Sequence, residues 1–331
     1  MENKEIIINK QNNVKLDAKD YEILKELDSN FRQSFSKIGK KVRLSKNSVS
    51  LRFEKLKEYT LHNMTGLNNE IMGYTLIKVF YSFDFYNESI EKAITEEVNK
   101  NKNIMWAARY YGTYDVGICL MIKNIDEIIS QVDSFDNRFA QKINKKEIQI
   151  IYRHFYFRYN FLHETPIGYV SKIYYDEKEV ILTKLDKGII HYLLYNPRIN
   201  VTNIASSLRV STKTVSNRIK HLEKSKVIMG YFMTVDVTKF KHNSFKLLVQ
   251  LQNPKQSKEL ETYLCSLKNI KYLAKMLGMW DYEIDFIYPN MTDLQNQIEL
   301  IKVKFPNLIK RIELMSFKNR IATNKKDFFS D

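Results

Sequence analysis

One offset runs through the chain. Asp186 follows Asp20 by 166 positions (186 minus 20), and the same step carries Ile38 to Ile204, Ser45 to Ser211, Val49 to Val215, Arg52 to Arg218 and Leu56 to Leu222. Further along it still carries Gly112 to Gly278 and Asp115 to Asp281. A register kept from Asp20 to Asp115 marks a duplicated unit, with small insertions compensated in loops. Two copies of one supersecondary unit are a far smaller set of folds than 331 residues otherwise allow.

The unit changes character part-way. Apolar positions recur with a helical period in three successive segments between about residues 17 and 57. The first runs from Asp20 to about Leu27, and the second holds Phe35, Ile38 and Val42. The third starts at Ser45, a good N-cap, and continues through Val49, Phe53 and Leu56. In the second copy the helices begin near Asp186, Asn200 and Ser211, and Asn196-Pro197 ends the first of them. A β-rich wing and connector follows, Val227 to Val237 in the second copy.

The remainder of each copy reads β-α-β-β-α-β. In the first copy the segments are Leu76–Ser82, a helix near 88–99, Ile104–Tyr111, Tyr114–Ile122, a helix near 126–138 and Lys146–Tyr156. In the second they are Phe245–Leu251, a helix near 257–267, Ile270–Leu277, Trp280–Tyr288, a helix near 294–304 and Leu308–Phe317. The expected fold class is α+β, two winged helix-turn-helix domains alternating with two ferredoxin-like βαββαβ domains. Each antiparallel sheet carries helices on one face and leaves an apolar face that wants a partner sheet. The expected boundaries are a tail at 1–14, helix-turn-helix domains at 15–68 and 182–238, sheet domains at 69–157 and 239–318, a connector at 158–181 and a tail at 319–331.

Composition narrows the partners. Hydrophobic residues make up 44% of the chain, ample for packed cores, while nine glycines and five prolines leave little for flexible linkers. A net charge of +15 favours a polyanion. No apolar run reaches the length of about 18 residues that a bilayer span needs, so no membrane partner and a cytoplasmic location are expected. Cys119 and Cys265 lie far apart, with neither metal-knuckle nor redox-pair spacing, and no metal or cofactor is expected.

These motifs resemble the Lrp/AsnC, or feast/famine, regulators. Leu16-Asp17-x-x-Asp20-x-x-Ile23-Leu24 is similar to that family's first helix, and Leu44-Ser45-x-x-x-Val49-x-x-Arg52-Phe53-x-x-Leu56 to its turn and recognition helix. Gly112-Thr113-Tyr114-Asp115-Val116 and Gly278-Met279-Trp280-Asp281-Tyr282 resemble the hairpin of its ligand-sensing (RAM) domain. Most members carry one unit per chain and dimerise through the sensing sheets. The resemblance therefore implies a tandem form, an intramolecular pseudo-dimer that assembles further into homo-oligomers.

A recognition helix turns one side to its core and the other to base edges. Helical spacing puts Val49, Phe53 and Leu56 inward and Asn47, Ser48, Leu51, Glu54 and Lys55 outward, with Lys46, Ser50 and Arg52 beside them. In the second copy Lys213, Thr214, Asn217, Lys220, His221 and Lys224 face outward, with Thr212, Ser216 and Arg218 beside them. The second face offers amide, hydroxyl and cationic groups to double-stranded DNA, whereas Glu54 on the first repels phosphate, so tighter binding is expected from the second. Arg52 and Arg218 have an alternative use, reaching across the helix to hold a carboxylate.

Two further readings stay open. The resemblance implies a small-molecule effector such as an amino acid near Gly112, Tyr114, Asp115, Gly278, Trp280 and Asp281; the plainer reading is that glycine and aspartate form turns and the aromatics pack. Related paired-domain proteins act as sirohaem decarboxylases, which need imidazole and cationic groups converging on a tetrapyrrole. Here His62, His154, His163, His191, His221 and His242 are scattered, expected mostly at the surface, with only His154 on a sensing strand. No enzyme is expected. A third reading, a subunit that pairs with other family members without binding DNA, fits the charge poorly.

Overall fold

Asp17 and Thr183 begin the two copies in the same way. Each side chain accepts the backbone N–H three residues on, and that residue, Asp20 or Asp186, returns a carboxylate to the cap N–H. These reciprocal boxes start α1 (Ala18–Ser29) and α6 (Lys184–Tyr195). The second helices, α2 (Phe35–Val42) and α7 (Val201–Leu208), end on residues in the left-handed conformation, Arg43 (φ 57°) and Arg209 (φ 53°). There Leu44 N–H bonds back to Gly39 O and Val210 N–H to Ala205 O, closing the tight turn. Ser45 and Ser211 then cap α3 (Lys46–Leu56) and α8 (Thr212–Lys224) at Ser48 and Thr214, as their spacing predicts.

The computed structural model describes residues 16–163, 171–174, 180–253, 255 and 257–323; the expected N-terminal tail and the Thr165–Gly168 part of the connector lie outside them. After α3 come β1 (Thr60–Leu67), β2 (Thr75–Phe83), α4 (Glu88–Lys100), β3 (Ile104–Tyr111), β4 (Val116–Ile122), α5 (Ile125–Phe139), β5 (Ile143–Tyr156) and β6 (Ser171–Tyr174). After α8 come β7 (Ile228–Val235), β8 (Asn243–Leu251), α9 (Ser257–Ser266), β9 (Ile270–Leu277), β10 (Tyr282–Tyr288), α10 (Met291–Lys304) and β11 (Ile309–Thr323). The class is α+β, and both copies run through the same order of helices and strands.

Two pairings depart from the expected layout. The wing strands β1 and β7 pair antiparallel with each other, Gly66 opposite Gly230 and Met64 opposite Phe232, so they tie the two helical units together. The last strand of each sheet is also longer than its local pattern suggests, and β11 extends past residue 318 into the expected tail. From Ile143 to Ile151 β5 pairs with β2 of its own copy, and from Ile150 to Tyr156 with β9 of the other. Likewise β11 pairs first with β8 and then, from Ser316 to Thr323, with β3. With β2-β4-β3 and β8-β10-β9 paired between them, the strands close into a ring, and β6 adds to the outside of β5.

Leu76, Phe80, Tyr110, Tyr114, Met121, Leu248, Met276, Trp280 and Met315 fill much of the ring. The enclosed face is not wholly apolar as expected: Lys78, Lys246 and Glu283 are buried in it. Helices α4 and α5 cover one outer face over Ile77, Val79 and Ile118, and α9 and α10 cover the other over Leu247, Val249 and Ile284.

Candidate nucleic-acid interface

The outward face of α8 carries the second copy's cations. Val215, Ile219 and Leu222 are buried, while Thr212, Lys213, Asn217, Lys220, His221 and Lys224 are exposed and Thr214 and Ser216 half-buried. Among the described residues the side chains of Lys213, Asn217, Lys220 and His221 make no hydrogen bond or ion pair. The Thr214 hydroxyl is taken up at the N-cap, 2.8 Å from Ser211 Oγ.

Arg218 does not belong to that free face. Its Nε and Nη2 grip the two oxygens of Asp186 at 2.8 and 2.6 Å, and Asp186 is buried. The first copy repeats this with more cations: Arg52 Nη1 lies 2.7 Å from both Asp17 and Asp20, and Lys55 Nζ 2.9 Å from Asp20. Burial works to raise Asp20 and Asp186, but Lys55 and Arg52 on one, and Arg218 on the other, hold both below the usual carboxylate range. Arg52, Lys55 and Arg218 therefore lock α1 to α3 and α6 to α8 instead of reaching freely outward. The register that pairs Arg52 with Arg218 also pairs Asp20 with Asp186, a signal present in the sequence.

On α3 itself Lys46, Asn47, Leu51 and Glu54 are exposed, Leu51 at 75%, and Ser48 and Ser50 half-buried. Glu54 pairs with Lys57 at 2.6 Å. Cations the sequence reading passed over lie on the preceding helix: Lys37, Lys40, Lys41 and Arg43 are exposed along α2 and its turn, where α7 has Asn203, Ser206, Ser207 and Arg209. Their helical spacing opposite Ile38 and Val42 would have shown them.

The two helical units are held in one orientation. Arg32 Nη1 donates to Pro197 O and Ile199 O, and Arg198 Nη1, one repeat on, donates to Phe31 O and Gln33 O. Burial pushes Arg198 down to about 10, and its guanidinium lies 4.2 Å from the Phe35 ring centroid. Buried Asp28 on α1 accepts from Tyr159 N–H at 3.0 Å and lies 2.8 Å from His163 Nε2, with Lys271 Nζ of β9 4.0 Å away. His163 thus ties the connector to the first helix and is not a free surface group.

The expected effector residues are engaged within and between the two sheets. Tyr114 and Trp280 are fully buried, and Trp280 Nε1 points to Tyr114 OH at 3.4 Å. Asp115 accepts from Phe83 N–H at 2.8 Å and pairs with Arg109, while Asp281 accepts from Leu251 N–H at 2.7 Å. Gly112 (φ 132°) and Gly278 (φ 148°) let each hairpin approach the other copy's long strand. A Cβ would lie 2.7 Å from Leu314 O at the first and 2.7 Å from Ile148 O at the second. Only the exposed turn tips remain for a ligand there. His154, expected with the other histidines largely at the surface, is buried in the ring, where burial and then Lys78 push it down to about 3 and keep it neutral.

Residues 16–57 match the AsnC-type helix-turn-helix domain, and residues 182–229 match a winged helix-turn-helix DNA-binding domain. An HTH-type transcriptional regulator of Pyrococcus abyssi is 27% identical over 119 residues, 36% of this chain and 81% of that protein. A second from the same organism is 28% identical over 138 residues, 40% of this chain and 88% of that one. Both helical units thus match helix-turn-helix DNA-binding domains, the first of the AsnC type. A solved structure, the siroheme decarboxylase NirDL in complex with an iron-uroporphyrin III analogue, is similar at a TM-score of 0.62. It shares 12% identity over 94% of this chain and 95% of that one, a likeness of fold. The matches by sequence are to regulators. No helix among the described residues of this chain is long and apolar enough to cross a membrane.

Proposed function

We propose that this chain is a transcription regulator of Lrp/AsnC type that recognises a specific double-stranded DNA site chiefly through α8, with α3 and the basic face of α2 adding phosphate contacts. The carrying observation is that Lys213, Asn217, Lys220 and His221 stand exposed without partners, whereas Arg52 and Lys55 are engaged with Asp20. In this reading Asn217 and Lys213 meet base edges, Thr212, Ser216, Lys220 and His221 position the helix on the backbone, and Lys46, Asn47, Ser48 and Ser50 make the weaker contacts of the first unit. The β1–β7 pair and the Arg32–Arg198 exchange support a pseudo-dimer within one chain that presents two helices at a set spacing. Further homo-oligomers and control by a small molecule complete the reading.

Titration of labelled genomic fragments with the full chain at several salt concentrations tests it. Specific binding is expected, with log K falling against log salt at about −0.9 per phosphate neutralised. Binding to no fragment at low salt, or equal binding to all of them, would overturn it.

A further inference from the structure

Inside the ring of strands lies a charged cluster that the DNA-binding reading does not use. Lys78, 2% exposed, donates to both oxygens of Glu283 at 2.5 and 2.6 Å, and Lys246 bonds to Glu283 and to Asp285. Burying such a network costs desolvation that apolar packing would avoid, so it calls for a use beyond stability. Its carboxylates are confined to one copy. Lys78 and Lys246 hold equivalent places, opposite Cys119 and Asp285, while Gly117 and Cys119 stand where the other copy has Glu283 and Asp285.

Aromatic side chains border the cluster on the side of the wing strand β7. Trp106 and Tyr272, equivalent positions of the two copies, are both half-buried, and Lys78 Nζ lies 4.9 and 5.5 Å from their ring centroids. Tyr156 lies 5.1 Å from Tyr272 on one side and stacks at 5.5 Å on Phe232 of the wing strand β7 on the other. His154 and Arg320 are also one repeat apart, opposite Ala274 and Ala108, which leave room beside them. His154 is 1% exposed, and its Nδ1 has no hydrogen-bond partner. The exposed Arg320 guanidinium lies 4.8 Å from the Trp106 centroid and makes no hydrogen bond or ion pair among the described residues.

We propose that the side chains of Trp106, Tyr156, Tyr272, His154 and Arg320 together bind a small aromatic carboxylic acid, its ring against the aromatic side chains and its carboxylate on Arg320. A guanidinium presents a fork that matches a carboxylate, and flat rings favour a flat guest. Asp285 is already held by Lys246, so the open charge is the cation. His154 Nδ1 supplies a second polar contact. An occupant resting on Tyr156 reaches Phe232 and so the strand that follows α8, which makes the acid the effector of the regulator. The site deepens the small-molecule part of the proposed function and is measured without DNA, so its failure leaves the DNA titration standing.

The test uses the full chain with benzoate, 4-hydroxybenzoate and 3-phenylpropionate, each against its neutral amide, by calorimetry and by acrylamide quenching of tryptophan emission. Trp280 is fully buried, so quenching reads Trp106. At least one acid is expected to bind one-to-one and protect Trp106, with its amide about tenfold weaker or worse. R320M should weaken the acid about tenfold without changing the melting temperature, and R320K should restore part of the affinity. Millimolar acids that fail to bind, or binding undiminished in R320M, would overturn the proposal. A Soret shift with iron uroporphyrin alongside no binding of the small acids would also overturn it, in favour of a macrocyclic guest. Acid binding that leaves DNA affinity unchanged would overturn the effector role.

Discussion

In the first helix-turn-helix unit the buried carboxylate of Asp20 takes two cations from the recognition helix, Arg52 and Lys55; in the second Asp186 takes only Arg218. His221 stands where the second copy matches Lys55, and it stays exposed. At the other outward positions Asn47 gives way to Lys213, Leu51 to Asn217 and Glu54 to Lys220. The basic residues of the first unit lie on α2 instead, as Lys37, Lys40 and Lys41. The buried residues of the two helix trios are similar in both units, and Ser45 and Ser211 cap the recognition helices alike. The two units therefore differ in where their exposed cations lie more than in their packed scaffold, because a solvated face tolerates substitutions that a packed helix trio does not.

The largest test of that difference removes the free cations. K213A/K220A should weaken specific DNA binding about 100-fold, on the scale of about 1–3 kcal/mol for each well-placed contact. The matched change N47A/L51A should cost about threefold or less, of the order of one weak contact. Fluorescence anisotropy on one mapped fragment reads both, and the reverse ranking would make α3 the dominant reader.

The next tests concern the exchange between the units. R198A strips donors from Phe31 O and Gln33 O and cation–π contacts from Phe35 and Phe53, so a loss of about 2–3 kcal/mol is expected in urea unfolding. Arg32 lies over one ring, Tyr231, and R32A should cost about 1–2 kcal/mol. Equal losses would show that the aromatic contacts contribute nothing.

A gain of function sharpens the comparison. E54K gives α3 the cation that α8 carries at Lys220. It should raise DNA affinity about threefold to tenfold at low salt and steepen the salt slope by about one. An unchanged slope would place α3 away from the phosphates.

The smallest expected effect is on acid stability. Asp20 and Asp186 titrate below their ordinary 3.8 when folded. The unfolded chain then binds more protons, so their contribution is present above about pH 4 and lost as pH falls through the folded values. Melting temperature measured from pH 5 downward should fall, and D186N should remove part of that slope. A D186N slope equal to that of the parent chain would show Asp186 to be unperturbed.

Much of this was legible along the chain. The strands Ile104–Tyr111 and Ile270–Leu277 match their predicted bounds, and Ser45 and Ser211 cap the helices their spacing assigns to them. The engagement of Arg52 and Arg218 by carboxylates was legible as an alternative, since arginine and aspartate recur together. The end of β11 was not, because its second half is a strand only through pairing with β3 of the other copy. Tyr114 and Trp280 read as ligand contacts or, more plainly, as packing; their meeting across the ring shows the packing.

The sequence by itself determined what each segment becomes, because periodicity, caps and turn residues act over a few positions and appear in both copies at one offset. The tertiary structure decided which charges are free. Lys78 and Glu283 are 205 positions apart, and Arg198 bonds to carbonyls 165 and 167 positions away. Such pairs exist only after chain closure brings distant strands and helices together. A local pattern assigns a side chain to a face, but the partner waiting on that face belongs to another part of the fold.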